Sequence, residues 1–185
     1  MKNIEIIMDG FRLVFNDVID AFIFDEKDSA KSTFHGVPMK CVDIIVEDEK
    51  YYYFIELKNL SKTILSSKNI QSNTSQENNE KQTSKTEKGE YRNRLKNSII
   101  YKFRDTFLYR YAEDKVDKPI KYICFWVPDK ALNFKFWQSV QHELPVGRVS
   151  NRWVKDIAVA CFIINWRTCQ KYFPKWRITL CNSQE

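Results

Sequence analysis

The sequence predicts a single α/β domain of 185 residues. Three observations indicate this class. Two strand-like segments are joined by a short charged turn, apolar residues before and after them recur at helical spacing, and two later apolar runs have strand length. A chain of this size can enclose one substantial core, whereas two full domains would be crowded. The order helix, hairpin, helix, strand, helix, strand further predicts a sheet covered on both faces.

The first half of the chain is predicted to contain a helix, a hairpin and an insertion. Apolar residues at positions 11, 14, 15, 18, 19 and 22 follow the i, i+3, i+4 spacing of an amphipathic helix and predict one over residues 11–24. Residues 40–47 and 51–57 predict the two strands of the hairpin. From 61 to 90 polar residues dominate, and such a segment buries too little apolar surface to offset its ordering entropy. A flexible polar insertion is therefore expected there.

The second half is predicted to alternate helices and strands. Every fourth residue from Leu95 to Phe107 is apolar, which predicts a helix over residues 91–112. Residues 122–127 form a continuous β-rich apolar run that is typical of a buried strand. Residues 128–185 are expected to extend the core through four further elements: a helix over 132–144, a buried strand over 157–164, a short helix over 166–172 and an edge strand over 177–180.

Composition excludes several classes of protein. Hydrophobic residues make up 43% and aromatic residues 15% of the chain, too many for a disordered protein. No apolar run approaches the roughly 20 residues that a bilayer span needs, and residues 1–10 lack a secretory layout, so a soluble cytoplasmic protein is expected. The five cysteines form no CxxC pair and are expected to be reduced. Four unclustered glycines provide no Gly-rich phosphate loop.

The net charge of +6 is concentrated near the C-terminus. Residues 148–177 contain seven Lys or Arg and one acid, with Trp, Tyr and Phe interleaved. Such a stretch suits a phosphate backbone and unstacked bases. The alternative, which is favoured for the aromatic residues, is that they belong to the core and the cations form a solvated rim. The candidate nucleic-acid-binding residues come from this stretch and from the helix after the insertion: Arg92, Arg94, Lys96, Lys102, Arg152 and Lys155.

Pairing of the hairpin strands brings two acids together. If the turn is centred on Glu49 and Lys50, residues that face each other have numbers that sum to 99. One face of the hairpin then carries the apolar pairs Val46–Tyr53, Ile44–Ile55 and Val42–Leu57 and belongs in the core. The acids lie on the other face. Asp43 lies across from Glu56, and a slip of one residue would turn Asp43 into the apolar layer.

Two directly opposed carboxylates need a counter-ion. Their Cβ atoms are about 5 Å apart, a separation at which like charges repel. A hard cation such as Mg²⁺ takes oxygen ligands and keeps waters for chemistry. Lys58 is two residues beyond Glu56 and therefore projects from the same face. Asp43, Glu56 and Lys58 are thus predicted to form a hydrolytic centre; the alternative is a solvent-exposed sheet end at which Lys58 pairs with one acid.

The two strands resemble the motif of the PD-(D/E)XK nuclease superfamily, which includes restriction endonucleases, resolvases and recombination exonucleases. Its motif is an acid at the start of one strand, followed by (D/E)-x-K on the next; here these are VDIIV at 42–46 and FIELK at 54–58. The resemblance implies a restriction-endonuclease-like, three-layer core in which helices flank a central mixed sheet. It covers roughly two thirds of the chain. The sequence departs from the motif in one respect: the proline that precedes the acid is missing, and Cys41-Val42 stands before Asp43.

The resemblance also implies a set of metal ligands. By position, Asp43 and Glu56 would hold Mg²⁺ or Mn²⁺, and the backbone carbonyl of Leu57 would be a further ligand. Members of the superfamily often add an acid from the first helix, for which Asp17 and Asp20 are the candidates. Lys58 would orient or activate the attacking water.

The implied activity is that of a metal-dependent endo- or exonuclease that hydrolyses phosphodiester bonds in nucleic acid, DNA in preference. The metal would lower the pKa of the water and polarise the phosphodiester. No membrane partner is implied, and a homodimer is expected because many nucleases of this fold pair to cut two strands. The alternative is a non-catalytic module that uses the same fold to bind nucleic acid or protein.

Overall fold

The computed structural model describes residues 1–34, 36, 38–58, 80–126, 134–147 and 150–181. Within these residues the chain forms eight strands and three α-helices. In order they are β1 (Lys2–Met8), β2 (Phe11–Val18), β3 (Asp20–Ile23), β4 (Ile44–Glu47), β5 (Tyr52–Lys58), α1 (Glu80–Ala112), β6 (Ile120–Trp126), α2 (Phe134–Glu143), β7 (Ala160–Asn165), α3 (Cys169–Tyr172) and β8 (Trp176–Leu180). A single 3₁₀ turn, Trp166–Thr168, leads into α3.

The strands are arranged in two sheets. The larger one has the order β3-β4-β5-β6-β7. Its first three strands form an antiparallel meander, and β6 and β7 then continue the sheet in parallel with β5. The smaller sheet, β1-β2-β8, is antiparallel throughout. The chain is thus α/β, and its five-stranded sheet is mixed, as predicted.

Each face of the five-stranded sheet is buried against a different layer. On one face, Phe54 and Tyr122 pack with residues of α1 and α2, such as Phe103 and Trp137. On the other face, the sheet packs against β2, α3 and β8 of the remaining chain. Residues of β5 alternate between these two cores, as the period of two in a strand requires. The three layers are therefore helices, mixed sheet and antiparallel sheet.

The prediction of a helix over residues 11–24 is wrong, because this segment forms β2 and β3. Phe11, Leu13 and Phe15 are completely buried, and the residues between them are more exposed. This alternation has the period of a strand that is buried on one face. Residues 11, 14, 15 and 18 happen also to fit helical spacing, so apolar spacing alone did not separate the two structures.

The turn before β2 contains the local signal that decides for a strand. Asp9 and Gly10 join β1 to β2 and have φ values of 52° and 79°. Positive φ at both central residues is typical of the two-residue turn that matches the twist of a β-hairpin, and Asp-Gly favours it. The N–H of Cys181 also donates to the carbonyl of Gly10 at 2.8 Å, so the turn is tied to the C-terminal strand.

The predicted hairpin register is confirmed over the paired part of the strands. Residues 44–47 of β4 face residues 55–52 of β5, so that facing numbers sum to 99. The prediction fails at Val42, which packs among residues of the helix-facing core, whereas Leu57 belongs to the opposite core. The ladder begins at Ile44, and the chain before it follows a different path.

The second half matches the predicted elements closely, with one correction. Helix α1 begins at Glu80, so residues 80–90 are not part of a loop; positions 61–79 of the predicted insertion lie outside the described residues. Within residues 128–185, β7 is the fifth strand of the mixed sheet and β8 pairs with β2. Residues 127–133, 148–149 and 182–185 lie outside the described part.

Two expectations about the class of protein can be compared with the described residues. No helix among them is long and apolar enough to cross a membrane. All five cysteines are free, and Cys41, Cys124 and Cys169 are buried. Cys161 is half-buried and Cys181 is exposed. Burial as a small hydrophobe therefore applies to three of the five cysteines, and the redox state stays a prediction.

Substitutions at two neighbouring positions distinguish the strand from the predicted helix. Leu13→Ala removes a side chain that is completely buried, and we expect it to lower the free energy of unfolding by about 2–5 kcal/mol. Val14→Ala is the matched control, because Val14 is only half-buried, and we expect a loss below about 1 kcal/mol. Urea denaturation followed by circular dichroism measures both. A larger loss at Val14 than at Leu13 would contradict the strand.

Candidate functional site

The backbone that carries Asp43 is fixed by its neighbours on two sides. The hydroxyl oxygen of Thr106 in α1 accepts a hydrogen bond from the N–H of Val42 at 2.9 Å, and Asp105 accepts one from the N–H of Lys40 at 3.0 Å. On the other side, the N–H of Phe24 donates to the carbonyl of Asp43 at 2.9 Å. The segment that enters β4 is therefore held against α1, which explains why Val42 faces the helices.

The Asp43 carboxylate takes over the role of a ladder acceptor. Its Oδ2 atom accepts the backbone N–H of Leu57 at 2.6 Å, at the point where β4 and β5 stop pairing through their backbones. A hydrogen bond to a carboxylate is shorter and stronger than one to a neutral acceptor. This bond places Asp43, which is only 5% exposed, at the end of the strand pair that lies away from the hairpin turn.

Glu56 is a charged residue in the middle of the sheet. It lies on β5, between β4 and β6, and its exposed fraction is 0%. It alternates with Ile55 and Leu57, which face the antiparallel sheet, so its side chain points toward the helical layer. A carboxylate at such a position requires compensating charge, because the desolvation of an unpaired ion is expensive.

Two lysines supply that charge. The ammonium of Lys102, from α1, lies 2.7 Å from Oδ1 of Asp43 and 3.0 Å from Oε1 of Glu56. Lys58, from the end of β5, forms a second ion pair with the same oxygen of Glu56. The side chains of Lys58 and Lys102 are 18% and 16% exposed. Asp43, Glu56, Lys58 and Lys102 are called the acid–lysine cluster below.

Burial and charge shift the pKa values within this cluster. Burial raises the pKa of Glu56 to about 7; the adjacent Asp43 acts in the same direction, whereas Lys58 and Lys102 oppose the shift. Burial acts to lower the pKa of Lys102, but the attraction of Glu56 and Asp43 outweighs it and raises that pKa. The pKa of Lys58 is raised in the same way, chiefly through Glu56. The two ammonium groups are therefore charged at neutral pH.

One oxygen of the cluster has ligand capacity left. Both side-chain oxygens of Glu56 are buried and accept no hydrogen bond from the described residues, although Oε1 is ion-paired with both lysines. Oε2 is thus an orphaned buried acceptor, of the kind that a metal ion or a protein donor normally satisfies. Carboxylate oxygens are the ligands that Mg²⁺ prefers, so the donor atoms of Asp43 and Glu56 fit a divalent cation. The Oδ1 and Oε1 atoms that Lys102 bridges are open to a cation only when the ammonium is not between them.

The structure brings the three predicted catalytic residues together, but not the additional acids. Asp17 lies on β2, not on a helix, and its carboxylate pairs with Lys175 at 2.8 Å. Asp20 faces Glu47, at the opposite end of β4 from Asp43. The contact that Leu57 makes with the cluster is through its N–H, so a ligand role for its carbonyl stays a prediction.

The predicted nucleic-acid-binding residues fall into separate groups. Lys102 belongs to the acid–lysine cluster, and Lys96 pairs with Glu143 of α2 at 2.6 Å. Arg94 is exposed. It lies about 12 Å from Lys102 along the axis of α1, because each helical residue adds 1.5 Å. Arg92 lies on the same part of α1 and is half-buried.

The other two cations lie away from the cluster. Lys155 reaches the carbonyl of Val116 at 3.5 Å, ahead of the first residue of β6. Glu56 lies opposite Cys124 of β6. Cys124 is four residues after the first residue of β6, a distance of about 13 Å along the strand. Arg152 is exposed and three residues before Lys155. The basic 148–177 stretch is not one surface, since Phe173 and Trp176 are buried in the core, as favoured for the aromatics, while Tyr172 is exposed.

Lys102 is the cluster residue whose role the sequence analysis missed. It was assigned to nucleic acid, yet its helical spacing places it with Ile99 and Thr106, three residues before and four after it, both of which are buried. A lysine within the apolar stripe of a helix is a signal of its own, because a buried ammonium needs an acidic partner. That signal identifies the residue but not which acid it meets.

Comparison of the chain with protein-family models, curated proteins and solved structures gave no match. What the acid–lysine cluster can do therefore follows from its own residues. Two carboxylates of adjacent strands and two ammonium groups form ion pairs at one end of a mixed sheet. Such a set can hold a cation through its oxygens and an anion through its lysines.

The stability of the acid–lysine cluster can be tested with Lys102→Met. This substitution leaves two buried carboxylates with one lysine, and we expect it to lower the free energy of unfolding by about 3–5 kcal/mol. Lys118→Met is the matched control, because Lys118 forms an ion pair with Glu47 and its side chain is 20% exposed. We expect this control to cost about 1 kcal/mol. Equal losses in guanidinium denaturation would show that the cluster is not specially dependent on Lys102.

Proposed function

We propose that this protein is a metal-dependent nuclease with a restriction-endonuclease-like core, acting on DNA. The observation that carries the proposal is the convergence of Asp43, Glu56 and Lys58, the three residues of the predicted motif, in one buried cluster. Lys102 joins them from α1. An accidental match to so short a motif has no reason to link all three side chains, with Lys58 paired to Glu56 and Lys102 paired to both Glu56 and Asp43.

The topology around the cluster supports the same proposal. Strands β3, β4 and β5 form an antiparallel meander, α1 follows, and β6 adds in parallel to β5. This is the order that the resemblance to the PD-(D/E)XK superfamily implies after its first helix. The difference lies in that first helix, whose place in the chain is taken by the strand β2.

In this proposal, Asp43 and Glu56 hold a divalent cation, Mg²⁺ or Mn²⁺. When bound, the cation supplies a water of lowered pKa and polarises the phosphodiester. Asp43 is oriented for this task by the N–H of Leu57, and Glu56 by its place in the sheet. Oε2 of Glu56 provides the acceptor that the described residues leave without a hydrogen bond.

The lysines act on the phosphate and on the water. Lys58 is at the end of β5, where its ammonium is close to Glu56 yet 18% exposed. From there it can donate hydrogen bonds to a non-bridging phosphate oxygen, on which negative charge grows as water attacks. It also orients the water beside the carboxylates. Arg94, beyond the cluster on α1, is suited to contact the backbone of the same strand.

A non-catalytic binding module is the second candidate, and one observation favours it. With both lysines charged and both acids ionised, the acid–lysine cluster is electrically neutral. Among the residues described, there is also no group of three or more His, Cys, Asp or Glu side chains that could hold a metal ion. A neutral cluster of this kind can be a purely structural link between α1 and the sheet.

The two candidates differ in what the cluster does to DNA. For the nuclease we expect cleavage of plasmid or single-stranded DNA with Mg²⁺ or Mn²⁺, and loss of cleavage when the metal is chelated. Lys58→Met and Glu56→Gln should each reduce the rate by about 100-fold or more, because each removes a group that acts directly on water, metal or phosphate. Gel electrophoresis of timed digests measures the rates.

The matched control for these variants is Lys118→Met, which also removes a partly buried lysine paired with an acid. It should retain the wild-type rate within about twofold. If DNA and RNA stay intact with either metal, or if the cluster variants cleave as fast as the wild type, the nuclease proposal is wrong. DNA binding that persists without cleavage and without metal dependence would favour the module.

Binding of DNA should depend on α1 more than on the end of the sheet that carries Lys155. We expect Arg94→Gln to weaken binding and to flatten the salt dependence by about 0.9 in log–log slope, as for one lost phosphate contact. Lys155→Gln removes the same charge some distance from the cluster and should change neither quantity. Fluorescence anisotropy at several salt concentrations measures both. The reverse order of effects would place the DNA at the other end of β6.

A further inference from the structure

Lys102 touches both acids of the cluster, whereas Lys58 forms an ion pair with Glu56 and, within the described part of the chain, with no other acid. The Lys102 ammonium is 2.7 Å from Asp43 and 3.0 Å from Glu56. It therefore stands between the two carboxylates, where a cation shared by them would have to lie. Its side chain comes from α1, while Glu56 lies on β5 and Asp43 immediately precedes β4. The bridge is thus a contact between two layers of the protein.

We propose that Lys102 is an internal counter-ion that occupies the cation position between Asp43 and Glu56 and is displaced when a divalent metal binds there. The inference rests on the proposed function, since it concerns the regulation of the same site. It assigns Lys102 a role different from that of Lys58. Among the described residues Lys58 forms an ion pair with Glu56 and none with Asp43, so it does not stand between the two acids.

Distances make the two occupants mutually exclusive. A Mg²⁺ ion binds carboxylate oxygens at about 2.0–2.1 Å. An ammonium within 2.7 and 3.0 Å of the same two oxygens would then lie almost in contact with the metal. Like charges at such a separation repel strongly in a site shielded from water. The metal can share these oxygens only after the ammonium has left.

The charge balance leads to the same conclusion. With both acids ionised and both lysines in place the acid–lysine cluster is neutral, so a divalent cation bound to the ionised cluster would add two uncompensated charges beside Glu56, which is 0% exposed. Departure of the Lys102 ammonium removes one of them. The lysine stem has four rotatable carbons, and the side chain is already 16% exposed, so the ammonium can reach water without a change in α1.

Competition of this kind weakens the apparent affinity for metal. The binding-competent form is the one in which Lys102 has swung out, and the observed dissociation constant equals the intrinsic one divided by the fraction of protein in that form. A side chain without the charge removes the competitor. Lys102→Met should therefore bind metal more tightly, which is the opposite of what a residue that helps to hold the metal would do.

Calorimetric titration with Mn²⁺ tests this directly. We expect Lys102→Met to bind Mn²⁺ about tenfold or more tightly than the wild type, and Lys118→Met to bind as the wild type does. Unchanged or weaker binding by Lys102→Met would overturn the inference while leaving the metal site of the proposed function intact. Absence of binding by the wild type and by Lys102→Met alike would overturn both.

A second measurement uses the unaltered protein and does not depend on the folding of a variant. Acetylation of lysines by an N-hydroxysuccinimide ester, read by mass spectrometry, reports how accessible each ammonium is. Saturation with Mn²⁺ should raise the labelling rate of Lys102 severalfold and leave Lys118, which is paired with Glu47, unchanged. If Lys102 stays as protected with Mn²⁺ as without it while calorimetry shows binding, the ammonium does not leave and the inference is wrong.

Discussion

The contact of one lysine with two buried carboxylates is the constraint on which this structure depends most. Asp43 and Glu56 would repel each other in the interior of the sheet, and Lys102 makes their proximity tolerable. The same contact joins α1 to the sheet, because Lys102 belongs to the helical layer and the two acids lie on or beside the strands. The hydrogen bonds of Thr106 and Asp105 to the chain before β4 act at the same junction. Charge neutralisation and helix docking are therefore one feature of the fold.

The position of the cluster follows from how the mixed sheet is built. Strand β5 is the point at which the sheet changes from antiparallel to parallel, and it has neighbours on both sides. Because β5 is a central strand and other layers cover both faces of the sheet, Glu56 is fully enclosed. At the end of β5 the β4 ladder has stopped, and the Asp43 carboxylate accepts the N–H of Leu57 in its place. An acid is used there as a structural acceptor and remains close enough to serve a second role.

Local sequence signals were sufficient for the hairpin and insufficient for the layers around it. The register of β4 and β5 followed from a charged turn and from apolar pairs such as Ile44–Ile55, which are properties of neighbouring residues. The segment 11–24 satisfied two periodicities at once, and the Asp9-Gly10 turn that favours strands was not used. Residues 80–90 were assigned to a loop from their lack of apolar residues, although Glu, Lys and Gln are strong helix formers.

The site was predictable only in part, for a similar reason. Asp43, Glu56 and Lys58 are close in sequence to the hairpin that presents them, so alternation along two strands placed them together. Lys102 is 46 residues beyond Glu56 in the numbering of the chain, and the contact between them depends on how α1 packs. Helical spacing marked Lys102 as core-facing, but no local pattern pointed to its partners. Asp17 failed because the helix on which it was placed is a strand.

The proposed metal site depends on what occupies the space between the two carboxylates when metal is present. A crystal structure of the protein grown with Mn²⁺, with an anomalous difference map, measures this most directly. We predict a peak about 2.1 Å from oxygens of both Asp43 and Glu56, with the Lys102 ammonium moved away from the space between them. A map without a peak there, in which Lys102 still bridges the two acids at saturating Mn²⁺, would contradict the proposal of a metal-dependent site.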